Sequence, residues 1–144
     1  MICYLVTINW RKISTITSSV TPLFILQMTV LHLAALYICS AELVQVLIEA
    51  GADVNAVNSW QDSPLHLASE QNPAVVPVLL EAGAKVNVLD KWRHSPLFKA
   101  AEWNQEASVV ALMAASADPH LGGSPLTSYL ISDEMKALIK SLLK

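Results

Sequence analysis

Glycine is scarce in this chain, with four among 144 residues. A loop that cradles phosphate needs closely spaced glycines, and no such phrase occurs; G-x-S-x-G and H-E-x-x-H are absent too. Cysteine is scarcer still. Cys3 and Cys39 are the only two, far apart and without a C-x-x-C spacing. That argues against a disulfide framework and suits free thiols in a reducing compartment, the cytoplasm first and the nucleus second. Nine Lys and Arg stand against twelve Asp and Glu, a net charge of −3. No basic surplus is available to hold nucleic acid. His94 and His120 fall in expected loops, away from any Cys or carboxylate at ligand spacing. These absences predict no enzyme, no cofactor, no metal, no small-molecule substrate and no direct nucleic-acid contact.

Charge is also missing locally, from Ile13 to Ala41. A membrane span needs about 20 mostly apolar residues, and Val20 to Cys39 approaches that. Thr21, Pro22, Gln27, Thr29 and His32 interrupt the run. A tether through residues 1–39 is therefore the alternative reading. A signal peptide fits less well, because Arg11 and Lys12 follow the first apolar stretch instead of preceding it.

What the chain does hold is one phrase written repeatedly. Thr29-Val30-Leu31-His32-Leu33-Ala34-Ala35 returns as Ser63-Pro64-Leu65-His66-Leu67-Ala68-Ser69. It returns again as Ser95-Pro96-Leu97-Phe98-Lys99-Ala100-Ala101, and Ser124-Pro125-Leu126 starts a partial fourth copy. A second phrase trails the first three: Gly51-Ala52-Asp53-Val54-Asn55, Gly83-Ala84-Lys85-Val86-Asn87 and Ser116-Ala117-Asp118-Pro119-His120. Two phrases in fixed order, at a period of about 33 residues, resemble the ankyrin repeat. The resemblance covers residues 28–144 and implies an all-α solenoid of helix pairs joined by β-turn fingers. It implies a module that binds a protein or peptide, and a histidine at His32 and His66 that ties neighbouring units together.

The local chemistry points the same way. Ser or Thr before Pro starts a helix, since the hydroxyl caps and Pro at the first position lacks only a donor that would be orphaned. Leu43, Val46 and Leu47, then Val75, Val78 and Leu79, then Val109, Leu112 and Met113 suggest the apolar stripe of each second helix. Gly51 and Gly83 stand where a helix end takes a left-handed residue. Residues 1–27 read as an atypical apolar leader. The repeats read as 28–58, 59–90, 91–120 and 121–144, the last closing with a half-polar helix after Ser132 whose apolar stripe is Met135, Leu138, Ile139, Leu142 and Leu143. Pro73 and Pro77 predict a shortened or delayed helix in the second repeat. The apolar leader supplies no polar cap for the first.

Candidate binding residues follow from the irregular positions. Trp60 and Trp92 stand one period apart at matching fingertips, flanked by Asp62 on one finger and by Lys91, Arg93 and His94 on the other. Large aromatics and Arg are the residues from which binding hot spots are built. The ends of the first helices add Leu36, Tyr37, Glu70, Gln71, Glu102 and Trp103 to a groove. With Asp62, Glu70 and Glu102 as an acidic edge, that groove suits a partner with apolar anchors and some Lys or Arg. Gln61 and Arg93 replace the finger glycine of the family, which predicts less regular turns. Finally, the family resemblance implies that Leu47, Asp53, Val54 and Asn55 have the spacing of a site for asparaginyl hydroxylation at Asn55.

Overall fold

The computed structural model describes residues 28–37, 40–122 and 131–144. Among them are seven α-helices and no strand. They are α1 (Val30–Leu36), α2 (Ala41–Glu49), α3 (Pro64–Gln71), α4 (Val76–Glu81), α5 (Pro96–Glu102), α6 (Glu106–Ala114) and α7 (Asp133–Leu142), with a 3₁₀ turn at Pro73–Val75. The leader, Cys39 and the partial fourth phrase lie outside the described residues, and with them most of the expected membrane tether. Among the described residues, no helix is long and apolar enough to cross a membrane.

The helices are short, six to ten residues. At such lengths a helix is held by packing more than by propensity. The first helices α1, α3 and α5 lie in one row, each against the next, and each pairs with its own second helix. Ala34, Ala35, Ala68, Ser69, Ala100 and Ala101 are all buried where these helices meet. Their small side chains let the backbones approach. The starts form as expected: Thr29 Oγ1 accepts from the His32 N–H at 3.3 Å and Ser95 Oγ from that of Phe98 at 3.1 Å. Gly51 and Gly83 take φ of +92° and +88° after α2 and α4. Ser116 fills the same role after α6 at φ +63°, without glycine's freedom.

Two expectations need correction. In the second helices the buried face runs through Val44 and Leu47, then Val75, Val76 and Leu79, then Ser108, Val109 and Leu112. Val46 is not part of it and stands 58% exposed. The stripe is rotated by part of a turn from the one read in α2, a helix that packs against α1, the 3₁₀ turn and α4. In α7, Met135 and Ile139 are buried, whereas Leu142 and Leu143 are 40% and 49% exposed, beyond the end of the packed face. Pro73 and Pro77 act as expected. Pro73 opens the 3₁₀ turn and Pro77 sits in the first turn of α4, leaving that helix only six residues.

Among the described residues, Thr29–Leu31, Leu47 and Ala50–Asp53 of the first pair line a hollow of about 290 Å³.

Candidate interaction surface

The two fingers are built on one hydrogen-bond plan. In the first, Asn58 Oδ1 accepts from the N–H of Trp60 at 2.9 Å and of Asp62 at 3.0 Å. In the second, Asp90 Oδ1 accepts from the N–H of Trp92 at 2.9 Å and of His94 at 2.7 Å. A short side chain that bonds its own backbone two and four residues on closes the turn. Gln61 and Arg93 complete the turns at φ +62° and +65°. The expectation of irregular turns is therefore corrected. Both residues adopt the left-handed conformation, and the Asx side chains hold them there. The fingers lie side by side, joined where the Lys91 N–H donates to the Trp60 carbonyl at 2.9 Å.

Histidine ties link the fingers to the helices. The Thr29 N–H donates to His32 Nδ1 at 3.2 Å, so that nitrogen is an acceptor and the proton rides on Nε2. Nε2–H donates to the Asp62 carbonyl of the next unit at 2.9 Å. His66 repeats this, with Nδ1 accepting from the Ser63 N–H at 3.1 Å and Nε2 reaching the His94 carbonyl at 3.2 Å. Both rings are fully buried. Burial lowers the pKa of both, that of His66 to about 4. A second proton on either ring would also point a donor at a donor. Asn55 and Asn87 tie the other end of each unit. Asn55 bonds the Gly83 carbonyl and the Lys85 N–H at 3.2 and 2.9 Å; Asn87 bonds the Ser116 carbonyl and the Asp118 N–H at 3.4 and 2.9 Å.

The acidic edge is where structure and sequence reading part. Asp62 is buried, 3% exposed, and its Oδ1 lies 2.9 Å from Lys99 Nζ. Asp90 and Glu70 approach the same ammonium at 3.5 and 3.7 Å. Burial works against the Lys99 charge, but the hydrogen bond and charge of Asp62, with the charges of Glu70 and Asp90, outweigh it and raise its pKa. Asp62 is thus inside the array, and Glu70 is half-buried beside an internal cation. His94 is corrected as well. It stands against a carboxylate, Nδ1 lying 3.9 Å from Asp90 Oδ2, and its ring stacks on Phe98 with centroids 4.3 Å apart. Lys99 was missed. Its signal is positional: the matching residues Leu33 and Leu67 are apolar, so a lysine there requires a buried counter-charge.

The remaining candidates are more accessible. Trp92 is 55% exposed and Trp103 53%. Lys91 and Arg93 are exposed, while Trp60, Leu36, Glu70, Gln71 and Glu102 are half-buried. Tyr37 is exposed at the end of α1. The structure brings Trp60, Lys91, Trp92 and Arg93 together on adjoining fingers. Glu70 and Gln71 bond each other at 3.0 Å at the end of α3, and Gln105 donates to the Glu70 carbonyl at 3.0 Å.

Short paired helices stacked in register, with turns projecting from one edge, define a helical-repeat protein. A family model described as ankyrin repeats, three copies, matches residues 31–123, well over half of the chain, and the chain belongs to that family. No curated protein matches it at a significant level. Ankyrin repeats are in general protein–protein interaction modules and typically not catalysts.

Proposed function

We propose that this chain is a non-catalytic interaction module whose partner seats on the paired fingertips and the adjoining ends of the first helices. The observation carrying this reading is Trp92, a large indole more than half exposed on a finger that a backbone hydrogen bond holds to its neighbour. A rigid exposed aromatic gives contact area at low entropic cost on binding. Trp60, Lys91 and Arg93 flank it on the fingers, His94 follows on the second finger, and Trp103 adds an exposed indole at the end of α5. The two widely spaced cysteines favour the cytoplasm, with the nucleus second, as its place of action. The test replaces Trp60 and Trp92 together with Ala and compares partner capture with that of the unaltered chain. Retained helical content with weakened capture supports the reading; unchanged capture refutes it.

Asn55 is proposed as a hydroxylation site on its spacing from Leu47, Asp53 and Val54. It is half-buried, with its amide engaged by the next unit. Intact-mass measurement after co-expression with an asparaginyl hydroxylase tests this. A gain of one oxygen at Asn55 supports the assignment and no gain ends it.

A further inference from the structure

The exposed charge of the fingertips is all of one sign. Across residues 57–61 and 91–94 the side chains include two cations, Lys91 and Arg93, and no carboxylate. Both cations are exposed, and neither makes an ion pair among the described residues. The carboxylates nearest in sequence are withdrawn. Asp90 is 5% exposed, with Oδ1 closing its own turn and Oδ2 facing Lys99; Asp62 is buried on the same lysine. Trp92 lies between the two cations, and Lys91 Nζ stands 6.0 Å from the centroid of its ring. The tips are thus a local inversion of a chain whose net charge is −3.

We infer that the fingertip patch of Lys91, Trp92 and Arg93, with Trp60 beside it, docks an acidic segment of a partner protein. The inference rests on the interaction reading above and reverses the cationic partner that the sequence alone suggests. Carboxylates of that segment meet Lys91 and the Arg93 guanidinium, whose planar fork suits a carboxylate in two parallel bonds. An apolar side chain next to them covers the Trp92 indole. The charge pattern disfavours nucleic acid. Two cations displace few counterions, and the rest of the molecule repels a polyanion.

The test titrates the full chain with short peptides that share one leucine and one phenylalanine but are rich in glutamate, glutamine or lysine. An oligothymidine strand serves as the nucleic-acid probe. The reporter is the Trp92 indole N–H resonance, assigned by its loss in Trp92→Ala. The expected result is binding of the glutamate peptide at least about tenfold tighter than the lysine peptide, weakening as salt rises. Lys91→Glu with Arg93→Glu reverses the preference while circular dichroism stays unchanged. Equal or stronger binding of the glutamine or lysine peptide at Trp92 overturns the acidic partner but leaves the interaction reading standing. A Trp92 shift with oligothymidine and none with the glutamate peptide overturns it in favour of nucleic acid. No shift with any probe also overturns it, and partner capture by the Trp60→Ala, Trp92→Ala variant then judges the interaction reading separately.

Discussion

The junction between the first and second helix pairs and the junction between the second and third are near copies in their hydrogen bonds and differ in charge. Each has a histidine reaching a finger carbonyl and an asparagine bonding the next unit's helix end. At the first, Asn58 closes the finger, its amide donating to Met28 Sδ at 3.4 Å, and Leu67 fills the helix position. At the second, Asp90 stands in the place of Asn58 and Lys99 in the place of Leu67. Asn and Asp close the turn equally well, since only a carbonyl-type oxygen is needed. The swap therefore leaves the finger's geometry unchanged and installs a buried ion cluster. A buried pair is weak grounds for extra stability, but breaking one is costly because a charge is left without a partner.

The largest effect is expected from that asymmetry. Lys99→Met leaves Asp62 and Asp90 buried without their cation, and should destabilise the fold by about 3–5 kcal/mol. The equivalent change at the other junction, Leu67→Met, should cost less than about 1.5 kcal/mol as a swap of similar volume. Urea unfolding measures both. Adding Asp90→Asn to Lys99→Met restores the uncharged closing residue of the first junction and should recover a portion of the loss, with Asp62 still uncompensated. Additive losses would show that residues 90 and 99 do not act as a pair.

Acid comes next. His66 is buried neutral with a pKa lowered to about 4, against an unfolded value near 6.5. The unfolded chain therefore binds the extra proton first. The full contribution is present above pH of about 6.5, declines as pH falls through the window, and levels off below about 4, a loss on the order of 3 kcal/mol. His66→Phe, which copies Phe98 of the third unit, should lower stability at neutral pH yet flatten this slope. An unchanged slope would assign the acid sensitivity to other groups.

These two predictions divide by how visible they were in the sequence. The histidine ties were legible through the family resemblance, since the Nε2 bond itself crosses to the next finger and only the Nδ1 cap is local. Each ring caps its own helix at its start, and the recurring phrase shows which ring has an equivalent. The fingertip tryptophans were legible for the same reason of register. The ion cluster was not. Lys99 belongs to the unit after the one that holds Asp62 and Glu70, and only the stacking of units brings them together. Position along the repeat placed Asp62 at the tip. The carboxylate turns inward because an ammonium waits there, and a pattern read one repeat at a time does not contain that contact. Val46 escaped for a related reason: in α2, apolar spacing alone does not say which side the next unit will cover.

A smaller change probes the asparagine ties, which the two junctions share. Asn55→Ala frees the Lys85 N–H, and Asn87→Ala frees that of Asp118. Each variant also loses the bond its amide donates to a carbonyl, and should cost about 2 kcal/mol by urea unfolding, from about 1 for each of two hydrogen bonds. Similar losses would confirm that the junctions differ only in their charged layer. A much greater loss at Asn87 would mean that the second junction leans on its remaining ties.

The smallest expected effect returns to the fingertips. Gln61 and Arg93 hold φ of +62° and +65°, which costs a residue with a Cβ about 1–2 kcal/mol. Glycine escapes that cost but loses about 0.5–1 kcal/mol to the greater freedom of the unfolded chain. Gln61→Gly and Arg93→Gly should each therefore stabilise the fold slightly, by about 0.5–1 kcal/mol, as a small rise in the urea midpoint with an unchanged slope. The two should agree, because the turns are closed alike. A destabilising Arg93→Gly alone would mean that the arginine side chain supports its own finger. If both variants gain stability and only Arg93→Gly weakens binding of the acidic peptide, then arginine is held in a strained conformation to the fold's disadvantage, and its guanidinium serves the partner.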